Sequence, residues 1–432
     1  MAHRGYFQLG QTEIANTART VAYMRNGVRN ASTEVVTDDS WPMLAYFLGR
    51  DTDWQRPEVD HDCPWYDRTE SASAEFAGVW VLRADGLDTT PLDRDVIEGA
   101  VAGGGFGVLR TPPREVEMEA LVLGATPAGL HYGLGWLGSA LRGDNCQDGG
   151  GPRNLTFLEA APGFDAQQTP EQVAVLGAAQ SRMLAQVALT GPVQVDEWLS
   201  PWVAEQRGAT VARVTFTLTA GSPWVWRTPT RLLTGLTPAL GTAQSLTFEN
   251  VGPGGVLADC DVDGGLLVDP AADPLVALPR PVSPAAAVGM QPLLSRRSRW
   301  QLDAGRLPRW AETVPTVRVH TGPQAERAVR IQWVQGNAVT QQDVTCGSVG
   351  EALIGYLPAN STLTLDAVTG DATVLTSDGR LLDATPVVTG RWGGPWRAPV
   401  LRCAQAYTLV VDTMQDVHTD VRVDVDGLVR QP

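Results

Sequence analysis

The sequence predicts a mainly β protein of the α+β kind, in which two β-sandwiches are accompanied by one packed helix. The first observation is that many short segments alternate apolar and polar residues with period two, which buries one face of a strand. In "STLTLDAVTGDATV", Leu363 and Leu365 precede a turn that contains Gly370, and Ala372 and Val374 follow it. The second is a single segment with apolar residues at helical spacing, and the third is a Gly-, Pro- and Asp-rich stretch between two runs of strands.

Residues 1–64 are predicted to form an N-terminal arm with short helices. Asn16 is placed to cap a helix that runs through Met24, and Ser40 is placed to cap a second helix in "WPMLAYFLG". The sequence leaves open whether this arm packs on a neighbouring subunit or wraps its own domain.

Residues 65–250 are predicted to form a β-sandwich domain with one amphipathic helix. "EFAGVWVLRADGLD" reads as a strand that ends in a turn, and "REVEMEALVLGAT" alternates with Val116 and Met118 on the inner face. The helix that follows is expected to begin after Thr126, its cap, and to end at Gly143. Further strands are predicted in "SRMLAQVALTGPVQVDEWL" and "ARVTFTLTAGSPWVW". No element is assigned to residues 228–250. The apolar stripe of the helix comprises Leu130, Leu134, Leu137 and Leu141.

The remaining sequence predicts a linker and a second sandwich. Residues 251–292 are rich in Gly, Pro and Asp, which is typical of an inter-domain linker. Residues 293–432 contain short alternating segments at nearly regular spacing, which indicates a β-sandwich or a jelly roll. These segments are "VPTVRVHTG", "ERAVRIQWVQ", "STLTLDA", "DATVLTS", "AYTLVVDT" and "VRVDVDG".

The composition of the chain excludes several classes of function. The 432-residue chain is 43% hydrophobic with a mean hydropathy of −0.09, which is typical of a soluble globular protein, and no apolar run approaches the ~20 residues that cross a bilayer. All basic side chains other than histidine are arginines, so a Walker A loop, a kinase lysine and a Schiff-base lysine are excluded. The net charge of −15 disfavours specific nucleic-acid binding. The N-terminus lacks the apolar core of a signal peptide, so we expect a chain that stays in the cytoplasm where it is made.

No metal or cofactor is predicted. The five cysteines and five histidines are scattered, with neither a CxxC nor an HExxH spacing. "ADCDVDGG" resembles the start of a calcium loop, but Pro270 stands where the bidentate glutamate is needed, which favours an acidic linker turn. "AGGGFG", residues 102–107, lacks the spacing of a nucleotide-binding loop and is interpreted as a hairpin loop.

Two tryptophans are the candidate binding residues. Trp392 and Trp396 lie in "GRWGGPWRAP", a glycine- and proline-rich loop of the second sandwich. If exposed, they could stack on a sugar ring and make the second sandwich a module that binds cell-wall glycan; the alternatives are core packing or a subunit contact. An envelope-degrading enzyme is a further alternative, but no pair of carboxylates can be nominated and no catalytic residue is predicted.

Several segments together resemble the distal tail proteins, also called minor tail proteins, of long-tailed phages that infect actinobacteria. Their order along the chain is the specific part of the resemblance. The segments are "EIANTARTVAYM", "CPWYDRTESASAEFAGVWVLRADGLD", "REVEMEALVLGATPAGLHYGLGWLGSALRGDNC", "VTFTLTAGSPWVW", "GYLPANSTLTLDAVTGDATV" and "GGPWRAPVLRCAQAYTLVVD".

The resemblance implies a structural role in the virion. Residues 65–250 would form a belt domain, and residues 293–432 a galectin-like or carbohydrate-module-like sandwich. Six belt domains would close into a ring at the tail tip, after synthesis in the host cytoplasm, and leave a channel for DNA. The implied partners are further copies of the chain, the tail tube protein, the hub, baseplate and fibre proteins and the tape measure protein. The resemblance supplies no catalytic residue, and the protein is not expected to be an enzyme.

Overall fold

The protein is mainly β, with large antiparallel sheets in each of two compact units. The first unit comprises residues 1–228 and the last two residues, and the second comprises residues 229–430. Among the helices that are described, none is long and apolar enough to cross a membrane. The computed structural model describes residues 3–27, 44–48, 54–99, 103–143, 151–161, 169–200, 210–238, 244–246, 293–337, 347–390, 394–414 and 421–431.

One antiparallel sheet runs through the first unit in the order β2-β1-β7-β8-β10-β6-β3, with β9 also paired to β10 and β11 to β8. The strands β4 and β5 form a separate hairpin. The elements are β1 (His3–Leu9), β2 (Thr12–Asn16), α1 (Thr17–Gly27), α2 (Leu44–Phe47), β3 (Phe76–Asp85), β4 (Val96–Glu98), β5 (Gly104–Phe106), β6 (Arg114–Gly124), α3 (Pro127–Arg142), β7 (Arg153–Leu158), α4 (Pro170–Gln180), β8 (Ser181–Leu189), β9 (Gln194–Trp198), β10 (Thr210–Ala220) and β11 (Val225–Arg227).

The central strands of this sheet confirm the alternation read from the sequence. In β6, Val116 and Met118 are fully buried, whereas the glutamates that alternate with them, Glu115, Glu117 and Glu119, are exposed or half-buried. Strand β10 pairs with β6 so that Phe216 lies opposite Met118 and Leu218 opposite Val116. Each of these pairs joins two buried side chains, which is the unit of stabilisation in an antiparallel sheet.

Helix α3 begins and ends where the sequence predicts. The hydroxyl of Thr126 accepts a hydrogen bond from the Gly129 amide, and Pro127 occupies the first turn, where its missing N–H costs nothing. Gly143 ends the helix with a left-handed φ of 78°, and its amide donates to the carbonyl of Ser139. The predicted leucine stripe packs against the sheet, fully buried at three of its four positions.

The start of the chain belongs to a sheet instead of a separate arm, although both predicted short helices are present as α1 and α2. Residues 3–16 form the β1–β2 hairpin, and β1 pairs with β7 inside the sheet of the first unit. Phe7 and Leu9 are completely buried, and Tyr6 is buried in a separate cluster on the other face. Because both faces of β1 are covered, its sequence lacks the period-two alternation that would reveal a strand. Helix α1 follows as predicted, capped by the Asn16 side chain, whereas the predicted cap Ser40 lies outside the described residues.

The second unit is a sandwich whose two sheets enclose one core. The sheets have the strand orders β12-β23-β15-β18-β19-β20 and β13-β14-β22-β16-β17-β21. All six strands predicted after residue 293 are confirmed, and β14, β17, β20 and β21 add to them. The strands are β12 (Thr230–Leu236), β13 (Gln244–Leu246), β14 (Leu293–Leu302), β15 (Glu312–His320), β16 (Glu326–Gln335), β17 (Ser348–Leu357), β18 (Thr362–Leu365), β19 (Ala372–Leu375), β20 (Leu381–Asp383), β21 (Val388–Thr389), β22 (Tyr407–Met414) and β23 (Arg422–Gln431).

The two units divide after Thr228, earlier along the chain than the predicted boundary at residue 250. Strand β12 pairs with β23, and Leu232 on it is buried in the core of the second unit. The predicted linker, residues 251–292, lies outside the described residues.

Candidate functional site

An aromatic cluster forms the centre of the first unit's core. The Trp65 ring lies 4.8 Å from Phe76, 5.4 Å from Trp136 and 5.9 Å from Tyr23, measured between ring centroids. Phe76 and Trp136 are themselves 5.7 Å apart. The tilted and edge-to-face orientations are the favourable ones for ring pairs. The cluster therefore ties α1, β3 and α3 to the segment that precedes β3.

Hydrogen bonds fix the same four parts of the chain. The Trp65 indole N–H donates to the carbonyl of Phe76 at 3.1 Å, and the Tyr132 hydroxyl donates to the carbonyl of Trp65 at 2.7 Å. The Tyr23 hydroxyl donates to the Asp60 carboxylate at 2.6 Å. A buried polar group without a partner costs about 1–3 kcal/mol, so these bonds are part of what makes the cluster stable.

Arg19 on α1 links this core to the first hairpin. Its guanidinium lies 2.6 Å from the Glu13 carboxylate and 3.2 Å from that of Asp60, and it stacks over the Trp54 ring at 5.1 Å. The arginine side chain is almost fully buried, so the two carboxylates compensate its charge where water does not. The arrangement joins α1 to the β1–β2 hairpin and to the segment before β3.

Burial perturbs two titratable groups beside Arg19. Burial raises the pKa of the Cys63 thiol from 9.0 to about 11. Burial also raises the pKa of the Tyr23 phenol well above its usual 10.0, and the nearby Cys63 and the hydrogen bond to Asp60 raise it further. Both groups therefore stay protonated in the folded chain at pH values where the unfolded chain loses their protons.

We expect the free energy of unfolding to fall as the pH rises from about 9 to about 11. A raised folded-state pKa gives stability that is complete below the unfolded value and is lost as the pH passes the folded value. Cys63→Ala should flatten this fall by on the order of 2–3 kcal/mol, since the pKa rises from 9.0 to about 11 and one pKa unit corresponds to about 1.4 kcal/mol. Urea unfolding at a series of pH values measures how the free energy of unfolding falls with pH in the wild type and in each variant. Tyr23→Phe should flatten the curve only above about pH 10; equal slopes in wild type and Cys63→Ala would contradict the prediction.

A second feature of the first unit is the excursion between β3 and β6, residues 88–113, called here the hairpin excursion. Its strands pair with Val96 opposite Phe106, and a further bridge joins Asp93 to Arg110 closer to its base. Of the glycine-rich segment predicted as a hairpin loop, residues 103–107 are described, and they contain strand β5.

Arg114 holds the base of the hairpin excursion. The side chain is 1% exposed, and its guanidinium donates to the carbonyls of Gly86, Leu87 and Thr89 at 2.8–3.1 Å. Its Nε donates to the carbonyl of Pro223 at 2.7 Å, in the turn after β10. One buried arginine thus joins the chain where it leaves the sheet, the chain where it returns and an adjacent turn.

The excursion itself exposes apolar side chains. Six large apolar residues on it are between 51% and 78% exposed, whereas every large apolar residue of the adjacent strand β6 is buried or half-buried. Isolated exposed apolar residues are normal, but several on one short hairpin mark an interaction surface. The six are Leu92, Val96, Ile97, Phe106, Val108 and Leu109.

Only one of the two tryptophans nominated for glycan binding lies among the described residues. Trp396 is 6% exposed and belongs to the core of the second unit, while Trp392 lies outside the described residues. The loop turns back on itself through the Gly390 amide, which donates to the carbonyl of Gly394 at 2.8 Å. A buried indole presents no face to a sugar, so Trp396 offers no stacking surface in this structure, and glycan binding stays a prediction.

A charged network crosses one sheet of the second unit. Asp426 on β23 pairs with Arg231 on β12 and with Arg318 on β15, and Asp424 pairs with His320 and Arg231. These ion pairs join β12 and β15 to β23, the strand that lies between them, and we interpret them as structural. Within the ranges that the structure describes, no group of three or more His, Cys, Asp or Glu could hold a metal ion.

Comparison with known proteins gives no family. No protein-family model matches the chain, and no curated protein matches it. Among solved structures, it is similar to the SPP1 Dit (gp 19.1) protein, described as a paradigm of the hub adsorption apparatus in phages that infect Gram-positive bacteria, with 11% identity over 84% of this chain and 96% of that one and a TM-score of 0.39. It is also similar to the phage P2 baseplate in its activated conformation with Ca, with 9% identity over 87% of this chain and 96% of that one and a TM-score of 0.37. Scores this low support no functional assignment.

Proposed function

We propose that the protein is a structural component of a phage tail tip, in which copies of the first unit form a ring between the tail tube and the hub and fibre proteins. The observation that carries this proposal is the aromatic cluster. Tyr23 comes from "EIANTARTVAYM", Trp65 and Phe76 come from "CPWYDRTESASAEFAGVWVLRADGLD", and Trp136 comes from the segment that spans β6 and α3. Three segments that carry the resemblance to distal tail proteins therefore meet in one core.

This meeting supports the resemblance because core contacts depend on fold. Segments that resemble a family by chance have no reason to contact one another when they are more than 40 positions apart in sequence, as Tyr23, Trp65 and Trp136 are. Each of these three residues is buried or half-buried, and Trp65 contacts the other two. The segments thus have the packing expected of a shared structural framework.

The physical properties of the chain suit assembly. Each unit has its own core of buried apolar residues, so neither depends on a ligand for its hydrophobic interior. Among the described strands, β9 pairs with β10 alone and each of its residues is exposed, so a neighbouring copy could pair with its other edge. Six copies would carry six times −15, or −90, charges, and acidic walls would let DNA pass without binding it. We propose no enzymatic role.

Immunogold labelling of phage particles tests the proposal. Antibodies raised against the purified chain should label one end of the tail, and preimmune serum should label nothing. Label on the capsid, along the whole tail or nowhere on intact particles would contradict a tail-tip role. Image averaging of the labelled end should then show density with rotational symmetry about the tail axis.

A further inference from the structure

Three adjacent strands of the second unit present arginines to solvent. Val317 and Val423 belong to the core of this unit, so the residues that alternate with them on β15 and β23 point away from it. The side chains of Arg231 on β12 and Arg318 on β15 are 47% and 36% exposed, and Arg422 on β23 is exposed as well. The outward-facing side of β12, β23 and β15 is called here the arginine face.

The aspartates of the arginine face lie deeper than its arginines. The side chains of Asp424 and Asp426 are only 19% and 8% exposed. Each of their four carboxylate oxygens already has a polar partner within 3.2 Å. The partners are Arg231 Nε and Arg318 Nη2 for Asp426, and the Gly235 amide and His320 Nε2 for Asp424. The carboxylates are therefore engaged within the sheet and present little of their charge to solvent.

The arginines have more donors than these contacts use. A guanidinium carries five N–H donors. In the described part of the chain Arg318 is engaged through one nitrogen, and Arg422 forms no ion pair there. A neutral polyol binds through donors and acceptors alike, whereas an anion needs donors alone. Exposed donors beside occupied acceptors thus favour an anionic ligand.

The charge of the arginine face favours the same ligand class. Its three arginines outnumber its two aspartates, which leaves a charge of +1. One further ion pair on these strands, between Arg430 and Glu312, adds nothing to this balance. The whole chain carries −15, so the arginine face differs in sign from the protein as a whole and attracts anions locally.

Arg318 and Arg422 are close enough to hold one anionic group together. Arg422 lies directly opposite His320 across β23 and β15, and Arg318 is two positions from His320 on the same strand. With about 4.8 Å between strands and about 3.4 Å per residue, the two arginine Cα atoms are roughly 8 Å apart. A phosphate directs its oxygens to several sides, whereas a carboxylate lies in one plane and matches a single guanidinium fork. Two guanidiniums on different strands therefore suit a phosphate.

We propose that the arginine face binds a phosphate-bearing polysaccharide of the host surface, with Arg318 and Arg422 donating to its phosphates. The inference rests on the proposed function, because the tip of a tail is the part of the particle that meets the host. It deepens that function by assigning the chemistry of a partner. The ion pairs of Asp426 then have a second effect, since they hold Arg231 and Arg318 in place before the ligand binds and so reduce the entropy lost on binding.

A matched set of dextrans tests the ligand chemistry. Dextran phosphate, carboxymethyl-dextran and unmodified dextran share one backbone and differ only in the group attached to it. At about 0.1 M salt, titration calorimetry of the full-length chain should show dextran phosphate binding at least about tenfold more tightly than carboxymethyl-dextran. Unmodified dextran should not bind. The affinity for dextran phosphate should fall as the salt concentration rises, because charge provides the attraction.

A charge reversal tests the position of the site. Arg422→Glu should weaken the binding of dextran phosphate by at least about tenfold. Arg422 is exposed and forms no ion pair with a described residue, so the substitution should preserve folding. Arg327→Glu is the matched control, because it makes the same change of charge at an exposed arginine on β16, in the other sheet of this unit. It should bind dextran phosphate like the wild type.

Several results would overturn the inference. These are no binding of dextran phosphate, equally tight binding of carboxymethyl-dextran or unmodified dextran, and equal weakening by Arg327→Glu and Arg422→Glu. Tighter binding of single-stranded DNA than of dextran phosphate would also overturn it, because the face would then recognise nucleic acid. Tail-tip labelling together with any of these results rejects this site and keeps the proposed function. Labelling elsewhere on the particle, with Arg422-dependent binding of dextran phosphate, keeps the phosphate site and rejects the tail-tip role.

Discussion

Replacing Trp65 by alanine is expected to lower the free energy of unfolding of the first unit by about 3–5 kcal/mol. The indole is 5% exposed and contacts Tyr23, Phe76 and Trp136, so its removal leaves a cavity bounded by three rings from different elements. The carbonyl of Phe76 also loses the indole N–H as donor. The effect should be close to the largest that one core substitution produces, because transfer, cavity and hydrogen-bond costs add.

Urea unfolding, followed by hydrogen exchange of the β3 and α3 amides, measures the change in the first unit. Trp65→Phe keeps an aromatic ring but lacks the N–H, so we expect an intermediate loss of about 1–2 kcal/mol. Trp310→Ala in the second unit is the matched control, because its ring is 61% exposed, and it should change the stability of the first unit by less than about 0.5 kcal/mol. A loss below about 1 kcal/mol for Trp65→Ala would show that the cluster does not organise this core.

The elements that the sequence predicted are those with one buried face. Packing on one side only produces the alternation of β6 and β10 and the leucine stripe of α3. The spacing of their apolar residues and the capping residues of the helix therefore locate these elements to within a residue or two. Strand β1 is covered on both faces and has Tyr6 and Phe7 side by side, so no period marks it. The boundary between the units was placed too late for a different reason. Strand β12 is mostly exposed and contributes only Leu232, as a buried residue, to a core built mainly from residues after 300, so its sequence shows no alternation.

The candidate surface was harder to predict than the fold. The glycines of residues 102–107 indicated a hairpin loop, and a hairpin is present, but its apolar residues would be expected to face a core. Whether Val96 and Phe106 are covered depends on contacts with distant parts of the chain, which no local pattern reports. The burial of Trp396 and the exposure of Phe106 are therefore both consequences of tertiary structure.

Replacing Arg114 by alanine is expected to destabilise the first unit by about 3–5 kcal/mol and to release the hairpin excursion from the sheet. The guanidinium donates to four carbonyls from two loops, and each of these acceptors loses that donor in a site that is buried or partly buried. Arg114→Lys keeps the positive charge but has three donors on one nitrogen, so it cannot reproduce the planar fork and should recover only part of the loss.

The release of the excursion separates this role from simple loss of core packing. The amides of residues 86–89 and those of Ser222 and Trp224, on either side of Pro223, should exchange faster in Arg114→Lys even under conditions where the amides of β6 and β10 stay protected. Arg94→Ala is the matched control: it removes an exposed arginine that stacks on Phe106 within the same excursion, and it should leave the exchange at residues 86–89 unchanged. If Arg114→Lys shows wild-type exchange in both loops, the four hydrogen bonds do not hold the base.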